Sequence, residues 1–429
     1  MSRAHRVWFV SEVYYPDEQG TAFYTTGLAE GLAADFAVGV LCSNPTVTAR
    51  GTRVEPEEVR NGVRIVRCGG TTFNKDVLFR RIVNMVTFSA ALFASGLKRV
   101  RRGDTVVAVT SPPSVPFIAQ CICKLRGARC ILRLEDVYPE AMVATGLLRK
   151  GGAAERLLSL LNRLLYRSVD RITVLGRDML TLAVRKAGRK ADISLIRSWA
   201  DIDLVVPRPR AENALLRELG LADKFVVSCV GNMGRAQAVE LMLEAATLLQ
   251  GLSGVHFLFI GSGAKKGWLE QQIASRRLTN ITILGQQPRD GQRTFLNACD
   301  LSIISLIPGM TGAGVPSRTY NIMAAGKPII ALTEPESEVA LLVQEEQLGW
   351  VVPPRDPRLL VEAILEACAH PESLTAMGVR ARAIACSRFH RERIIDEFRR
   401  LIVSMLHATG PSPVATGRPG HLAEAGTFR

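Results

Sequence analysis

Residues 105–134 read TVVAVTSPPSVPFIAQCICKLRGARCILRL, and this stretch decides the fold class. Residues 105–110 are a short run of β-branched and small apolar residues, and residues 130–134 are a second run of the same kind. A segment of helical length, beginning near residue 115, separates the two runs. Strand, helix and strand in this order predict a crossover unit whose two strands lie parallel in one sheet.

The same alternation continues from this stretch to both ends of the chain. Further strand-like runs are separated by helical segments, and they lie at 7–13, 36–42, 63–68, 171–175, 192–197, 225–230, 255–261, 281–285, 300–307, 328–332 and 349–352. Repeated alternation of this kind is typical of a parallel sheet with helices on both faces. The sequence therefore predicts an α/β protein with two Rossmann-like, doubly wound domains facing a central cleft.

The domain boundaries follow from an interruption of the alternation. Residues 198–213, SWADIDLVVPRPRAEN, contain two prolines and lack helical periodicity, which is typical of a linker. We expect a first domain over 1–200, a linker over 201–213 and a second domain over 214–385. A helix over 386–409 packs on the second sheet or crosses back to the first domain, and a disordered tail occupies 410–429.

Composition limits the kinds of partner and cofactor that we expect for this protein. The chain of 429 residues carries a net charge of +14, but only 6% of its residues are aromatic and no basic stretch is interleaved with aromatics. We therefore expect no nucleic-acid partner. The nine cysteines show no zinc-ligand spacing, and the N-terminus runs into the first strand without a leader-like segment. Reduced cysteines and a cytoplasmic location are the expectation, with no cofactor and no metal.

Ligands of doubly wound sheets bind where loops leave the carboxyl ends of the strands, so the loops after the strands are the candidate sites. In the first domain, Gly20 permits close backbone approach to a ligand and Thr21 is a candidate helix cap. The loop after residues 130–134 carries Glu135, Asp136 and Glu140. A carboxylate there is a candidate general base, although a lone acidic loop is more often merely solvated.

Two loops of the second domain combine glycines with arginine. Residues 231–237, GNMGRAQ, hold Asn232, Gly234 and Arg235, and they resemble a diphosphate cradle opening a helix. Residues 314–318 hold Gly314, Pro316, Ser317 and Arg318 at the start of another helix, with Ser317 as a candidate cap. A helix start without any ligand is the structural alternative for both loops.

Taken together, residues 6–400 resemble the GT-B fold retaining glycosyltransferases of family four, and within them the fucosamine-transferase-like branch of bacterial polysaccharide synthesis. The resemblance rests on the order and spacing of motifs at 14–22 (YYPDEQGTA), 136–146 (DVYPEAMVATG), 198–203 (SWADID), 231–237 (GNMGRAQ), 314–328 (GVPSRTYNIMAAGKP) and 335–343 (PESEVALLV).

The resemblance implies roles for these motifs. The second domain would hold a nucleotide-sugar donor, with Arg235 and Arg318 on its diphosphate, and Glu338 would help to hold it. Where the family usually has two glutamates, this sequence has Ala313 and Asn321, and where the family usually has a lysine, it has Gln237. The donor contacts of Asn321 must therefore differ from the family's. Asp136 is the preferred acceptor base, with Glu135 or Glu140 as substitutes.

The acceptor prediction depends on an apolar helical segment at 77–102 with cationic ends at 80–81 and 98–102. Such a segment suits either an anionic membrane surface or packing on the first sheet. The resemblance favours a saccharide or polyprenyl-diphosphate-linked acceptor, peripheral attachment to the inner face of the cell membrane, a UDP-linked donor and retention of configuration. The alternatives are an NAD-dependent sugar-nucleotide oxidoreductase or epimerase, for which a G-x-G-x-x-G loop is missing, and a non-catalytic nucleotide-sugar-binding protein.

Overall fold

The computed structural model describes residues 4–73, 78–188 and 192–407. The predicted tail at 410–429 lies outside these residues. The first domain holds one sheet whose order is β3-β4-β2-β1-β5-β6-β7-β8. Its strands are β1 (Arg6–Val10), β2 (Ala37–Cys42), β3 (Glu57–Arg60), β4 (Val63–Arg67), β5 (Thr105–Val109), β6 (Arg129–Arg133), β7 (Arg171–Val174) and β8 (Ile193–Leu195).

Neighbouring strands of this sheet are parallel except for the β3–β4 hairpin at its edge. Strand β3 was not predicted from the sequence. The feature that would have indicated the β3–β4 hairpin is the Asn61-Gly62 pair, because both residues have positive φ, as a two-residue hairpin turn requires. The helices of the domain are α1 (Gly20–Leu32), α2 (Leu78–Arg99), α3 (Val115–Arg126), α4 (Glu140–Ala144), α5 (Ala153–Ser168) and α6 (Arg177–Ala187).

The second domain repeats the plan with a smaller sheet, in which all neighbours are parallel and the order is β11-β10-β9-β12-β13-β14. Its strands are β9 (Phe225–Val230), β10 (Val255–Ile260), β11 (Ile281–Leu284), β12 (Leu301–Ser305), β13 (Ile329–Leu332) and β14 (Gly349–Val352). The remaining helices are α7 (Ala214–Glu218), α8 (Val239–Leu248), α9 (Lys266–Arg276), α10 (Gln292–Phe295), α11 (Arg318–Ala324), α12 (Glu338–Glu345), α13 (Pro357–Ala369), α14 (Pro371–Arg388) and α15 (Arg391–His407). The predicted pair of doubly wound domains is confirmed.

Alternating residues of β1 show how helices cover both faces of the first sheet. Val7 and Phe9 belong to the core that α1 and α15 cover, whereas Trp8 and Val10 belong to the core under α2 and α3. Successive side chains of a strand point to opposite faces, so a strand in the middle of a doubly wound sheet is apolar throughout.

The end of the chain is divided between the two domains. Helix α14 packs on α11 of the second domain, where Gly378 meets Gly326. Helix α15 then lies against α1 of the first domain, with Phe398 next to Phe9. Before it, a backbone bridge joins Ala200 of the linker region to His390. The chain passes from the first domain to the second near Ala200 and returns near His390, and these two segments therefore lie side by side.

Candidate active site

The carboxyl ends of the two sheets face each other, and their loops touch. The acidic loop after β6 pairs with the glycine loop after β12 through an antiparallel bridge between Asp136 and Gly314. In the same pairing, the N–H of Val137 donates to the carbonyl of Ala313 at 2.8 Å. A Cβ on Gly314 would lie only 2.9 Å from Oδ1 of Asp136, so glycine permits this approach. The candidate base and the candidate diphosphate loop therefore meet directly.

The three acidic residues of the first-domain loop have different partners. Glu135 accepts a hydrogen bond from Arg133 at 2.8 Å, and Glu140 pairs with Lys186. Asp136 forms no ion pair within the described residues. The hydroxyl of Thr110, at the end of β5, accepts from the backbone N–H groups of Glu135 at 2.9 Å and Asp136 at 3.2 Å, which fixes the loop. Asp136 is thus the acid of the three that remains available.

Electrostatics also distinguish Asp136. Burial, and after it the charge of Glu135, raise the pKa of Asp136 to about 6, although Arg81 and the Tyr138 hydroxyl act in the opposite direction. A carboxylate with a pKa near 6 is ionised at neutral pH and is a stronger base than an ordinary aspartate. The role of Asp136 as the acceptor base, with Glu135 or Glu140 as substitutes, stays a prediction.

Arg318 opens α11 and points back toward β9. Its Nη2 donates to Gln237 and lies 3.5 Å from the carbonyl of Ser305, while its buried Nε has no hydrogen-bond partner. Burial lowers the pKa of this guanidinium, and no carboxylate among the described residues lies within salt-bridge distance of it. A desolvated cation without an anion is the arrangement expected of an anion-binding site.

The loop after β9 lies on the other side of Arg318. A Cβ on Gly231 would come within 3.0 Å of Nη1 of Arg318, and the positive φ of Gly231, 117°, suits glycine. Asn232 and Arg235 are exposed, and Gly234 packs against the side chain of Asn232. Arg235 forms no hydrogen bond or ion pair with the described residues, so its guanidinium is free for a ligand.

The structure changes the predicted capping roles. Helix α1 begins at Gly20 with Gln19 in the N-cap position, so Thr21 lies inside the first turn and does not cap the helix. Ser317 does occupy the N-cap position of α11, after Pro316, but its side chain makes no capping hydrogen bond. Instead, Ser317 lies against α1, where a Cβ on Gly20 would be 3.3 Å from its hydroxyl oxygen.

Two predicted donor residues have other partners. The side-chain oxygen of Asn321 accepts from the N–H of Asp201 at 2.8 Å, and its amide donates to Gln292 at 2.7 Å. Asn321 is 5% exposed, so it holds the linker against the second domain. A donor contact of Asn321 stays a prediction.

Glu338 lies at the start of α12 and is 1% exposed. Its carboxylate accepts from the N–H and Nε of Arg177 and from Nε of Arg197, each at 2.8 Å. Both arginines belong to the first domain. Asp178 extends this contact by accepting from the N–H groups of Gly312 at 3.0 Å and Glu338 at 3.2 Å. Glu338 therefore joins the two domains in this structure, and its predicted role toward the donor stays a prediction.

Arg289, which follows β11, was not predicted from the sequence. Its guanidinium lies over the ring of Phe23 at 3.1 Å, and its buried Nε and Nη2 have no hydrogen-bond partner. Arg289 and Phe23 line a cavity of about 400 Å³ between the domains, together with Trp199 and Asp201. Its position in a loop leaving a strand is the signal that would have identified it.

The arrangement suits the transfer of a group that leaves as an anion. Arg318 and Arg235 offer positive charge on one side of the cleft, and Asp136 offers a proton acceptor on the facing loop. Within the described residues, no group of three or more His, Cys, Asp or Glu side chains is placed to hold a metal ion. Metal-independent chemistry stays a prediction.

Both domains match known protein families. Residues 19–199 match the family described as "Glycosyl transferase 4-like domain", and residues 224–370 match the family described as "Glycosyl transferases group 1". Over 394 residues the chain is 31% identical to "Probable glycosyltransferase WbjE" of Pseudomonas aeruginosa, with 92% of this chain and 96% of that protein covered. It is 25% identical to "Putative colanic acid biosynthesis glycosyl transferase WcaI" of Escherichia coli, with 90% and 96% covered.

Solved structures agree with the fold. A sucrose-phosphate synthase from Thermosynechococcus elongatus superposes with a TM-score of 0.76 at 18% identity, covering 94% of this chain and all of that one. HepE from Anabaena, solved with UDP and glucose, gives a TM-score of 0.72 at 16% identity and covers 93% of this chain. These likenesses confirm the predicted GT-B fold. The chain therefore belongs to the glycosyltransferases, and it is a sugar-transferring enzyme with the GT-B fold.

Proposed function

We propose that the protein transfers a sugar from a UDP-linked donor to a hydroxyl group of a lipid-linked saccharide during surface polysaccharide synthesis. One observation carries the proposal. The loop that ends in the unpaired, desolvated Arg318 is bridged through Gly314 to the loop that bears Asp136. A buried cation without a counter-ion and a carboxylate of raised pKa therefore lie on bridged loops of the two domains, which supports transfer from a diphosphate.

In the proposed reaction, the bond between the anomeric carbon and the diphosphate oxygen breaks, and the acceptor oxygen bonds to that carbon on the face from which the diphosphate leaves. Asp136 takes the proton of the acceptor hydroxyl. Arg318 and Arg235 donate hydrogen bonds to the diphosphate, whose leaving oxygen gains charge as the bond breaks. Gln237, where the family usually has a lysine, accepts from Arg318 and holds that guanidinium in place.

The donor sugar and the stereochemistry rest on the family resemblance. We propose retention of the anomeric configuration and a hexose or N-acetylhexosamine donor, as in the fucosamine-transferase-like branch. Ala313 is fully buried and offers no carboxylate, and the amide of Asn321 is already hydrogen-bonded. Asn232, which is exposed in the loop after β9, suits a further contact to the sugar.

A lipid-linked acceptor agrees with the surface of α2. Phe79, Ile82 and Val86 are 73%, 45% and 57% exposed, and Arg80 and Arg81 beside them are exposed cations. No helix of the described ranges is long and apolar enough to cross a bilayer. We propose that α2 attaches the enzyme to the cytoplasmic face of the cell membrane, where a polyprenyl-diphosphate-linked saccharide is presented. The polysaccharide named for the Escherichia coli relative supports a role in polysaccharide synthesis.

The proposal is tested first by thermal denaturation of the purified protein with UDP, GDP, ADP or NAD. A ligand at about 100 times its Kd stabilises the folded state by about 2.7 kcal/mol. We expect a rise in Tm with UDP, a smaller rise in an Arg318→Gln variant, and no rise with NAD. A rise with NAD alone would refute the proposal and favour an oxidoreductase or epimerase.

A second measurement separates catalysis from binding. Release of UDP from UDP-N-acetylhexosamines is followed with and without a polyprenyl-diphosphate-linked saccharide. We expect acceptor-dependent release that is lost in Asp136→Asn, although that variant still binds UDP. Binding of UDP without release, with every donor and acceptor tried, would instead support a non-catalytic nucleotide-sugar-binding protein.

A further inference from the structure

Helix α5 presents a stripe of leucines to solvent, and no element among the described residues covers it. Leu157, Leu160, Leu161 and Leu164 are 57%, 54%, 39% and 55% exposed. Their spacing of three, one and three residues places them on one side of the helix. Four large apolar side chains in one row exceed the scattered exposure that is normal for a protein surface.

The opposite side of α5 already supplies the contacts that fold it. Leu165 and Tyr166 are 5% and 1% exposed and pack in the core under β6 and β7. Asn162, 7% exposed, donates to the carbonyl of Leu158 within the helix. The exposed leucines are therefore not needed to attach α5 to its sheet, and they are free for an external partner.

Cations flank this stripe. Arg156, Arg163 and Arg167 are exposed and, at spacings of seven and four residues, follow the helix along one edge of the leucine row. Arg149 and Lys150, directly before the helix, are also exposed. None of these five cations forms an ion pair with any described residue.

Acidic residues are scarce on the same surface. Glu155 is the one acid of α5, and its carboxylate accepts from the hydroxyl of Ser159 and from the N–H of Gly151. The stripe and its cations, which we call the α5 face, therefore combine apolar surface with unpaired positive charge.

The α5 face lies on the same side of the first sheet as α2. Helix α3 lies between α2 and α5 and contacts both. It also exposes Leu125 to 64%. Helix α2 is the next helix after β4, and α5 comes after β6 and α4. Both strands end at the cleft edge of the sheet. Apolar exposure thus recurs on three neighbouring helices next to the acceptor side of the site.

We propose that the α5 face binds the surface of an anionic bilayer, with the leucines in the interfacial region and the arginines on lipid phosphates. This contact is separate from the α2 contact, and it does not depend on the proposed transfer reaction. Charge favours a bilayer over a second copy of the chain, because a symmetric dimer would bring the same unpaired arginines together. An apolar row flanked by cations is the pattern of helices that lie in a membrane interface.

The orientation that follows serves the acceptor. Helix α5 begins thirteen residues after Glu140 and is linked to the Asp136 loop through α4. Contact through both α2 and α5 would fix the first domain on the bilayer with the Asp136 loop near the headgroups. A single helix would leave the domain free to rotate about that helix. Two contacts therefore restrict how the cleft meets a lipid-linked acceptor.

The test is flotation of the full chain with vesicles of phosphatidylcholine, with and without phosphatidylglycerol. The variant is Leu160→Gln combined with Leu164→Gln, and the matched control is Leu248→Gln. Leu248 is 56% exposed on α8 of the second domain. We expect binding that requires phosphatidylglycerol, roughly tenfold weaker binding for the double variant, and no change for the control. Tm and UDP binding should stay at wild-type values, which separates this test from that of the proposed function.

Charge is tested separately with Arg163→Gln combined with Arg167→Gln, for which we expect loss of most of the phosphatidylglycerol dependence. Unchanged flotation of the leucine double variant would overturn the proposal, whether or not a Phe79→Gln variant is impaired. A wild-type dimer that the leucine substitutions convert to monomer, without loss of vesicle binding, would also overturn it and assign the α5 face to a second copy.

Discussion

Replacing Asp136 with asparagine is the sharpest test of the site, because activity and stability should move in opposite directions. Asparagine keeps the size of the side chain but cannot take a proton from an acceptor hydroxyl. Loss of a general base lowers the rate by about 10²–10⁴-fold. UDP affinity should change little, because the residues proposed to bind the diphosphate, Arg318 and Arg235, belong to the second domain.

The expected gain in stability follows from the pKa. Burial raises the pKa of Asp136 from 3.8 to about 6. The folded state therefore binds a proton more readily than the unfolded chain, and ionisation destabilises the fold as the pH rises from about 4 to 6. Above pH 6 this cost is complete, and it amounts to at most about 3 kcal/mol. The side chain is partly exposed, so we expect Asp136→Asn to stabilise the protein by about 1 kcal/mol or more at pH 7.

The assay measures kcat by UDP release between pH 5 and 8 and Tm at each pH. Wild-type kcat should fall about tenfold for each pH unit below 6, since only the ionised carboxylate acts as base. The Tm of Asp136→Asn should exceed that of wild type above pH 6, by about 2–4 °C for each kcal/mol, and the difference should shrink toward pH 4. Glu140→Gln is the control, because Glu140 is paired with Lys186. A variant at Asp136 that retains wild-type kcat, or a Tm advantage that grows on acidification, would refute the reasoning.

Three further predictions address binding, closure and positioning. Arg318→Gln should weaken UDP binding about 10–100-fold, because it removes a desolvated cation that forms charge-assisted hydrogen bonds. The Kd is measured by calorimetry, and an unchanged Kd would place the diphosphate elsewhere. Arg177→Ala should favour an open form by about 3 kcal/mol, because Glu338 stays buried with fewer partners. Small-angle scattering should show a larger radius of gyration. An unchanged radius would argue that this contact does not hold the two domains together. Gly314→Ala should lower kcat with little change in UDP affinity, because the new Cβ would lie 2.9 Å from Oδ1 of Asp136. Transfer at the wild-type rate by this variant would contradict the assigned position of the base.

Much of the fold could be predicted from sequence because its signal is local. Strands such as β5 are buried on both faces, and they appear as short apolar runs between helical segments. The loops that leave those strands could be located for the same reason, and so Asp136 and Arg318 were both identified. The β3–β4 hairpin was missed because the exposed strand β3 has no apolar run.

Residue roles that depend on contact between the domains could not be predicted in this way. Glu338 is far in sequence from Arg177 and Arg197, and nothing local indicates that its carboxylate lies between two guanidinium groups. The loop position of Arg289 marks it as a candidate, but its contact with Phe23 of the other domain could not be predicted from local sequence. Capping of α1 by Thr21 was wrong for a smaller reason, since the N-cap is Gln19, two residues earlier in the chain.

Domain contact also links the chemistry to the conformation. The Asp136 loop is bridged to Gly314 of the opposite domain, so separation of the domains would break the bridge and expose the carboxylate to water. Its pKa would then return toward the ordinary value, because burial is the main cause of the shift. Closure therefore makes the proposed base, Asp136, stronger when the proposed acceptor and donor would share a site with less water. In an open cleft the same residue is a weaker base, which limits activation of water and hydrolysis of the donor.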